Sequence, residues 1–216
     1  ILEDVGVVFR DDIALADWRR IGADVRGETV HLDRALVKDL ISTIPSDITL
    51  HARNPEKTVK LGGRNSIFVP MTGAPYLRDL DDMRRSPTLD DLADFHKLSH
   101  MLPAIHSSAH HIVEPMDHPV SHRHLRITYS SIIHSDKTFM GMTTSGRNAE
   151  DVLDMCAILF GEEYLENHPV VVGNCNGNSP LVWDETMLSA MRAFNKRNQP
   201  VLCSPFVLGG ANTPAS

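Results

Sequence analysis

The chain has 216 residues, of which 42% are hydrophobic and 23% charged, and a formal net charge of −7; that is a globular balance, enough for one large core or a core with a small satellite. Its basic residues are scattered, with only the pairs Arg19-Arg20 and Arg84-Arg85 adjacent, which speaks against nucleic acid as a partner. No apolar run approaches the ~20 residues of a membrane span and no signal-peptide pattern opens the chain, while Cys156, Cys175 and Cys203, without CxxC spacing, suit a reducing, cytoplasmic compartment.

The sequence opens on Ile1, inside what reads as a helix over 1–5, and stops after a glycine-rich stretch at Ala215-Ser216, so it reads as an incomplete chain. Residues 1–46 read as largely helical, with segments over 13–21 and 33–44, the second capped by Asp33. Four extended runs, 48–51, 58–61, 66–69 and 75–77, are separated by Asn54-Pro55, Gly62-Gly63 and Gly73-Ala74-Pro75, the pattern of a small β meander.

From residue 88 the pattern becomes strand, loop, helix, repeated. Thr88 and Asp91 form a capping box before the apolar stripe Leu89, Leu92, Phe95, Leu98 and Leu102, which Pro103 closes. A strand is expected over 104–109, a helix opening at Asp117-His118-Pro119, a strand over 138–142, and a helix capped by Asn148 with Asp151 and stopped by Gly161. Val170-Val171-Val172 makes the next strand, Asp184 caps a helix lined by Leu188, Met191 and Phe194, and Val201-Leu202-Cys203 is the last strand.

Apolar strands alternating with helices imply a parallel sheet covered by helices, an α/β fold. A (β/α)8 barrel spends about 30 residues per unit; from Ile67 onward five strand candidates are present, and no GxGxxG or GxxxxGK[ST] marks a nucleotide-binding open sheet. The expectation is a (β/α)8 barrel cut after about five strands, with residues 1–65 as N-terminal helices and meander and residues 66–216 as the incomplete barrel. Chemistry in such folds sits at the C-terminal strand ends. The sequence there is unusual: Met71-Thr72-Gly73-Ala74, Ser108-Ala109-His110-His111, Thr143-Thr144-Ser145, the Gly/Asn stretch from Asn174 to Ser179, and Ser204-Pro205-Phe206. The Gly/Asn stretch reads either as a site-forming loop or as a long connection built on left-handed turns.

Several segments, in order along nearly the whole chain, resemble the trimethylamine methyltransferase family of corrinoid-dependent enzymes. They are 1–7 (ILEDVGV), 73–76 (GAPY), 85–92 (RSPTLDDL), Ser135-Asp136-Lys137, 178–181 (NSPL) and 205–211 (PFVLGGA) with Pro214. The resemblance implies a (β/α)8 barrel and transfer of a methyl group from a methylated amine to the Co(I) of a corrinoid carried by a separate small protein, with no nucleotide cofactor. Co(I) displaces an amine, so the substrate must be quaternary, protonated or covalently engaged. Trimethylamine enzymes of the family use pyrrolysine for the engagement, at a position beyond residue 216; other relatives lack it, one branch acting on glycine betaine, which is already quaternary.

Within that frame Tyr76 and Phe206 are candidates to hold a methylammonium group, each good cation–π contact contributing roughly 0.5–2 kcal/mol; otherwise they pack against neighbouring loops. Asn176, Asn178 and Ser179 are candidates for a carboxylate or the corrinoid edge, or satisfy their own loop. His106, Ser108 and His110 alternate along one strand, with His111 adjacent and His118, His122 and His124 following; His110 reads as a polar pocket residue or proton donor, or else as a surface or core-satisfied histidine. No HExxH is present and no bound metal is expected. Cys175 and Cys203 read as small buried core residues. A non-catalytic quaternary-amine-binding module and a histidine-zinc hydrolase are the alternatives, and the oligomeric state stays open, a homo-oligomer included.

Overall fold

The computed structural model describes residues 1–178 and 181–205. Its elements in chain order are β1 (Val7–Arg10), α1 (Asp12–Arg20), β2 (Asp24–Arg26), β3 (Thr29–His31), α2 (Arg34–Ser42), β4 (Asp47–Leu50), β5 (Val59–Gly62), β6 (Leu77–Arg78), β7 (Arg84–Arg85), α3 (Leu89–Met101) and β8 (Ser107–Ser108). There follow α4 (Val120–His134), β9 (Thr138–Gly141), α5 (Gly146–Phe160), α6 (Glu162–Asn167), β10 (Val171–Gly177), β11 (Val182–Asp184), α7 (Glu185–Lys196) and β12 (Val201–Pro205).

The architecture is mixed α/β. Its main sheet is four-stranded and parallel, in the order β8-β9-β10-β12, so neighbours in space are successive in the chain apart from β11. A second sheet, β11-β1-β3-β2, pairs β1 antiparallel with β3 and parallel with β11. Here the expectation of a largely helical start needs correction. The helices over 13–21 and 33–44 exist as α1 and α2, and Asp33 caps the second by accepting from the amides of Ala35 and Leu36. Residues 1–5, by contrast, make a single turn closed by the Val5 amide on the Ile1 carbonyl, and Gly6, at φ 81°, bends the chain into β1. A Cβ on Gly6 would lie 2.7 Å from the Thr29 methyl, so the close approach to β3 excludes a side chain. The run Val7-Val8-Phe9 is β-branched and aromatic, and it becomes a strand because a partner arrives from residues 182–184.

The meander is smaller than expected. β4 and β5 pair as read, with Ile48 opposite Leu61 and Leu50 opposite Val59, but Leu77–Arg78 pairs in a separate hairpin with β7. Residues 66–69 form no strand. Phe68 is tied instead to two adjacent residues: its amide donates to His106 Nδ1 (3.0 Å) and its carbonyl accepts from the amides of His106 (2.9 Å) and Ser107 (3.4 Å). The first of the five expected barrel strands is therefore absent, and four parallel strands remain. The second, expected over 104–109, is limited to Ser107–Ser108.

Helix ends follow their caps. Thr88 and Asp91 satisfy each other's backbone at the start of α3, and Asp91 also takes both guanidinium nitrogens of Arg85 at 2.6 Å, which holds its carboxyl well below the usual range. Asp117 caps this same helix by accepting from the Leu89 amide, so α4 starts later, behind Pro119. Ser145, rather than Asn148, caps α5; Asp151 is drawn off to His124 Nε2 at 2.7 Å. Asp184 caps α7 through the Met187 amide, as read.

The larger core joins α3, α4, α5 and α7 to one face of the parallel sheet through Leu92, Ile127, Phe139, Val152, Leu153, Val171 and Phe194. A smaller core holds Val7, Phe9, Leu15, Val30 and Leu188, and Trp183 touches both. Two buried polar side chains at the N-terminal strand ends, Lys137 and Gln199, are fully paired. Lys137, just before β9, donates to the carbonyls of Ser99 (2.8 Å), Leu102 (2.9 Å) and Ile105 (2.6 Å), binding the C-terminal end of α3. Gln199, before β12, accepts from the Val170 and Val171 amides and donates to the carbonyls of Leu165, His168 and Arg197.

Gly141 and Gly173 are register partners in β9 and β10, and both face the Phe194 ring; a Cβ at Gly141 would come within 2.9 Å of Phe194 Cζ. Gly141→Ala therefore overpacks this contact and lowers stability by about 1–3 kcal/mol in denaturant unfolding. Combining it with Phe194→Leu, which withdraws the ring, recovers part of that specific penalty in a double-mutant cycle.

Candidate functional site

Because β8, β9, β10 and β12 are parallel, the segments that follow them emerge at one end of the sheet. After β8 come His110 and His111, their ring centroids 4.2 Å apart. The Gly73 amide donates to the His111 carbonyl at 2.8 Å and the Glu114 amide to the Ala74 carbonyl at 3.0 Å, so the Gly73-Ala74 segment lies alongside residues 111–114. Glu114 divides its carboxylate between two partners: Oε2 lies 3.1 Å from His111 Nε2, and Oε1 accepts from Arg123 Nη1 at 2.6 Å. The other donors of Arg123, Nε and Nη2, both go to the His118 carbonyl, at 3.2 and 2.8 Å. This guanidinium is committed.

The Nδ1 atoms of His110 and His111 are buried without a partner among the described residues. Burial, reinforced by the neighbouring His111, pushes the His110 pKa down to about 3. Burial also lowers His111, Glu114 opposing and Arg123 adding to the effect. At neutral pH both rings are therefore uncharged, polar and close to a carboxylate that is already neutralised. Such a surface can hydrogen-bond a ligand without repelling a cation.

At the other strand ends, the Thr143 hydroxyl donates to the Asn174 carbonyl. Ser204 Oγ lies 3.1 Å from Asn174 Oδ1 and 2.6 Å from Asn176 Oδ1. The Gly/Asn stretch is thus mostly strand, β10 running on to Gly177 instead of ending at Val172. Asn178 then pairs through its backbone with Val182, and its side chain donates to Asp184 Oδ2 at 2.6 Å.

The expected site residues divide accordingly. Asn176 stands in the Ser204 group, whereas the Asn178 amide is held by Asp184 and is exposed. Tyr76 is 49% exposed, and the Arg84 guanidinium sits 3.8 Å from its ring centroid. Ser179 and Phe206 lie outside the described residues. The alternation of His106, Ser108 and His110 fails, because the strand covers only two residues and His106 is engaged with Phe68. Among the described residues no three His, Cys, Asp or Glu side chains gather closely enough to hold a metal ion. Cys175 is buried as expected and its thiol is pushed up to about 12 by burial, but its register partner Cys203 is exposed, since β12 lies at the end of the sheet. The Glu114–Arg123 pair and the Asn174–Ser204 contact were not anticipated. The three-residue step from His111 to Glu114 was visible; the Ser204 contact needs the β10–β12 register.

The family model described as trimethylamine methyltransferase matches residues 1–216. The chain is 42% identical over 217 residues to a glycine betaine methyltransferase of Desulfitobacterium hafniense (strain Y51), covering 100% of this chain and 45% of that protein. A proline betaine:corrinoid methyltransferase of Eubacterium limosum is 26% identical over 100% of this chain and 46% of its own. A trimethylamine methyltransferase, MttB, of Desulfitobacterium hafniense (strain DSM 10664 / DCB-2) is 25% identical over 84% of this chain and 37% of its own. The chain thus spans less than half the length of these curated relatives.

His110 also ties the site to stability. Its folded pKa, about 3, lies below the ordinary 6.5, so the unfolded chain takes up a proton first as pH falls. The stabilisation is complete above pH 6.5 and is lost progressively towards pH 3, with a slope of up to about 1.4 kcal/mol per pH unit. Thermal unfolding from pH 7 to 4 should show His110→Gln losing less stability with acidity than the parent protein.

Proposed function

The chain belongs to the trimethylamine methyltransferase family, and from that premise we propose that its protein takes a methyl group from a quaternary amine, glycine betaine above all, and passes it to a corrinoid. The observation that carries this reading is the 42% identity to a glycine betaine methyltransferase across the whole chain, against 25% to a trimethylamine enzyme. The corrinoid, carried by a separate protein, would supply the nucleophile: Co(I) accepts the methyl carbon as the C–N bond breaks, and the bonding electron pair stays on nitrogen. A quaternary substrate then leaves as a neutral tertiary amine and needs no covalent engagement by the enzyme.

The remaining demands fall on the protein. It must hold a cation over the strand ends, keep water away and leave one side open to the acceptor. The uncharged His110 and His111 imidazoles suit the first demand. Tyr76 and Phe206 are proposed to line the methylammonium; Tyr76 would do so by exchanging the Arg84 guanidinium for the substrate, one cation for another. Asn176, with Asn178 and Ser179, is proposed for the polar end of the substrate. We also read β8, β9, β10 and β12 as successive strands of a (β/α)8 barrel, since all are parallel and separated by helices.

The test uses full-length protein, reduced cobalamin and glycine betaine, trimethylamine or carnitine in turn. Loss of Co(I) absorbance with release of dimethylglycine, for betaine alone, is the expected result. Betaine binding by calorimetry without any Co(I) loss would replace the transferase by a binding protein.

A further inference from the structure

We propose that Asn174, Asn176 and Ser204 form a carboxylate-binding subsite, so that the protein selects a quaternary amine bearing an acid group over one without it. This deepens the methyl-transfer reading and rests on it for the identity of the substrate.

Along β10, Val171, Gly173 and Cys175 are buried, and a Cβ on Gly173 would lie 3.2 Å from the Phe194 ring, so these residues face the helices. Asn174 and Asn176 project from the opposite face. The register sets Leu202 beside Asn174 and Ser204 beside Asn176, placing the Ser204 hydroxyl on that face too. The Ser204 hydroxyl has a single proton: it donates to Asn176 Oδ1 at 2.6 Å, with Asn174 Oδ1 a weaker second acceptor at 3.1 Å, so the Asn176 Nδ2 points away from it. Neither Nδ2 donates to an acceptor among the described residues. The result is two amide side chains on one face of one strand, their backbone positions ~6.6 Å apart. Amide donors on such neighbouring positions suit a carboxylate, each of whose oxygens accepts at ~2.9 Å.

Arg123 is spent on Glu114 and the His118 carbonyl, the Asn178 amide gives one of its donors to Asp184, and the His110 and His111 rings are uncharged. The carboxylate would thus be recognised by neutral donors, leaving the cationic end of the substrate without a competing positive charge.

Calorimetry on full-length protein with glycine betaine and with choline, which lacks the acid, reads the subsite directly. The parent should bind betaine more tightly than choline. Asn174→Asp or Asn176→Asp replaces a donor with a carboxylate oxygen of equal size and should cut the betaine-over-choline preference by about tenfold or more. Asn176→Leu separates lost donation from added repulsion and should reduce the same preference. Ser204→Ala, which frees the amides to rotate, should show a smaller loss that Ser204→Thr restores. A parent without the preference, or Asp variants that melt like the parent and keep it, would overturn the proposal. A preference lost in the variants of a protein that passes no methyl group to cobalamin would support the subsite and refute the transferase; methyl transfer with the preference intact in the variants would do the reverse.

Discussion

The seat of Phe194 on the parallel sheet holds the two cores in one arrangement. A fully buried ring can lie that close to β9 and β10 only because Gly141 and Gly173 are register partners with no side chain to displace it. Ala190 and Ala193, small and buried on the same helix, let α7 settle along the sheet. On the same helix Leu188 belongs to the other core, and Arg192 grips the buried Asp11 with both nitrogens, at 2.9 and 2.7 Å. Burial alone would raise the Asp11 pKa; Arg192 and the Ala14 amide more than offset it and hold the carboxyl below its usual value. Asp11 also caps α1, so one carboxylate fixes a helix start and joins the N-terminal sheet to α7.

The connection from β10 to α7 inherits its shape from that arrangement. After Gly177 the chain folds back through the Asn178–Val182 bridge, and β11 lies parallel to β1. A Cβ on Gly177 would stand 3.3 Å from the Trp183 ring, the residue that packs against both cores. Glycine at 177 therefore lets the strand pass close to that ring. The asparagines differ in purpose: Asn178 completes the turn through Asp184, while Asn174 and Asn176 are ladder residues whose side chains leave the covered face of the sheet.

Much of this was legible where the cause is local. Thr88 with Asp91, Asp33 and Asp184 each sit within a few residues of the amides they cap, and the helices follow. The alternation of helices with apolar segments correctly gave a parallel α/β sheet. The misses share a physical origin in distant partners. Val7-Val8-Phe9 looked like part of a helical start because one of its two pairing strands, β11, lies far along the chain and the other, β3, is only three residues long. Residues 66–69 have strand composition, but Phe68 bonds to His106 and Ser107 without building a ladder. Glycine and asparagine after Val172 looked like a loop, yet β12 supplies backbone partners as far as Gly177. At the site, His110 stood out in sequence, while the donor geometry of Asn174 and Asn176 appears only once Ser204 is in register beside them.

The two ends of the parallel sheet show opposite electrostatic habits. At the N-terminal ends a buried ammonium and a buried amide have every polar atom answered: Lys137 by three carbonyls, Gln199 by two amides and three carbonyls. Those contacts close the bottom of the sheet against α3 and α6. At the C-terminal ends the charged groups are turned on one another, Glu114 on Arg123 and His111, and the groups left with spare capacity are neutral. A full positive charge there would repel a quaternary ammonium, and a free carboxylate would bind one so firmly that its departure as a neutral amine would be opposed. Neutral imidazoles and amides avoid both extremes. In the proposed methyl transfer they would give direction through hydrogen bonds while leaving the charge on a substrate nitrogen uncompensated, which would favour its discharge as the methyl group leaves.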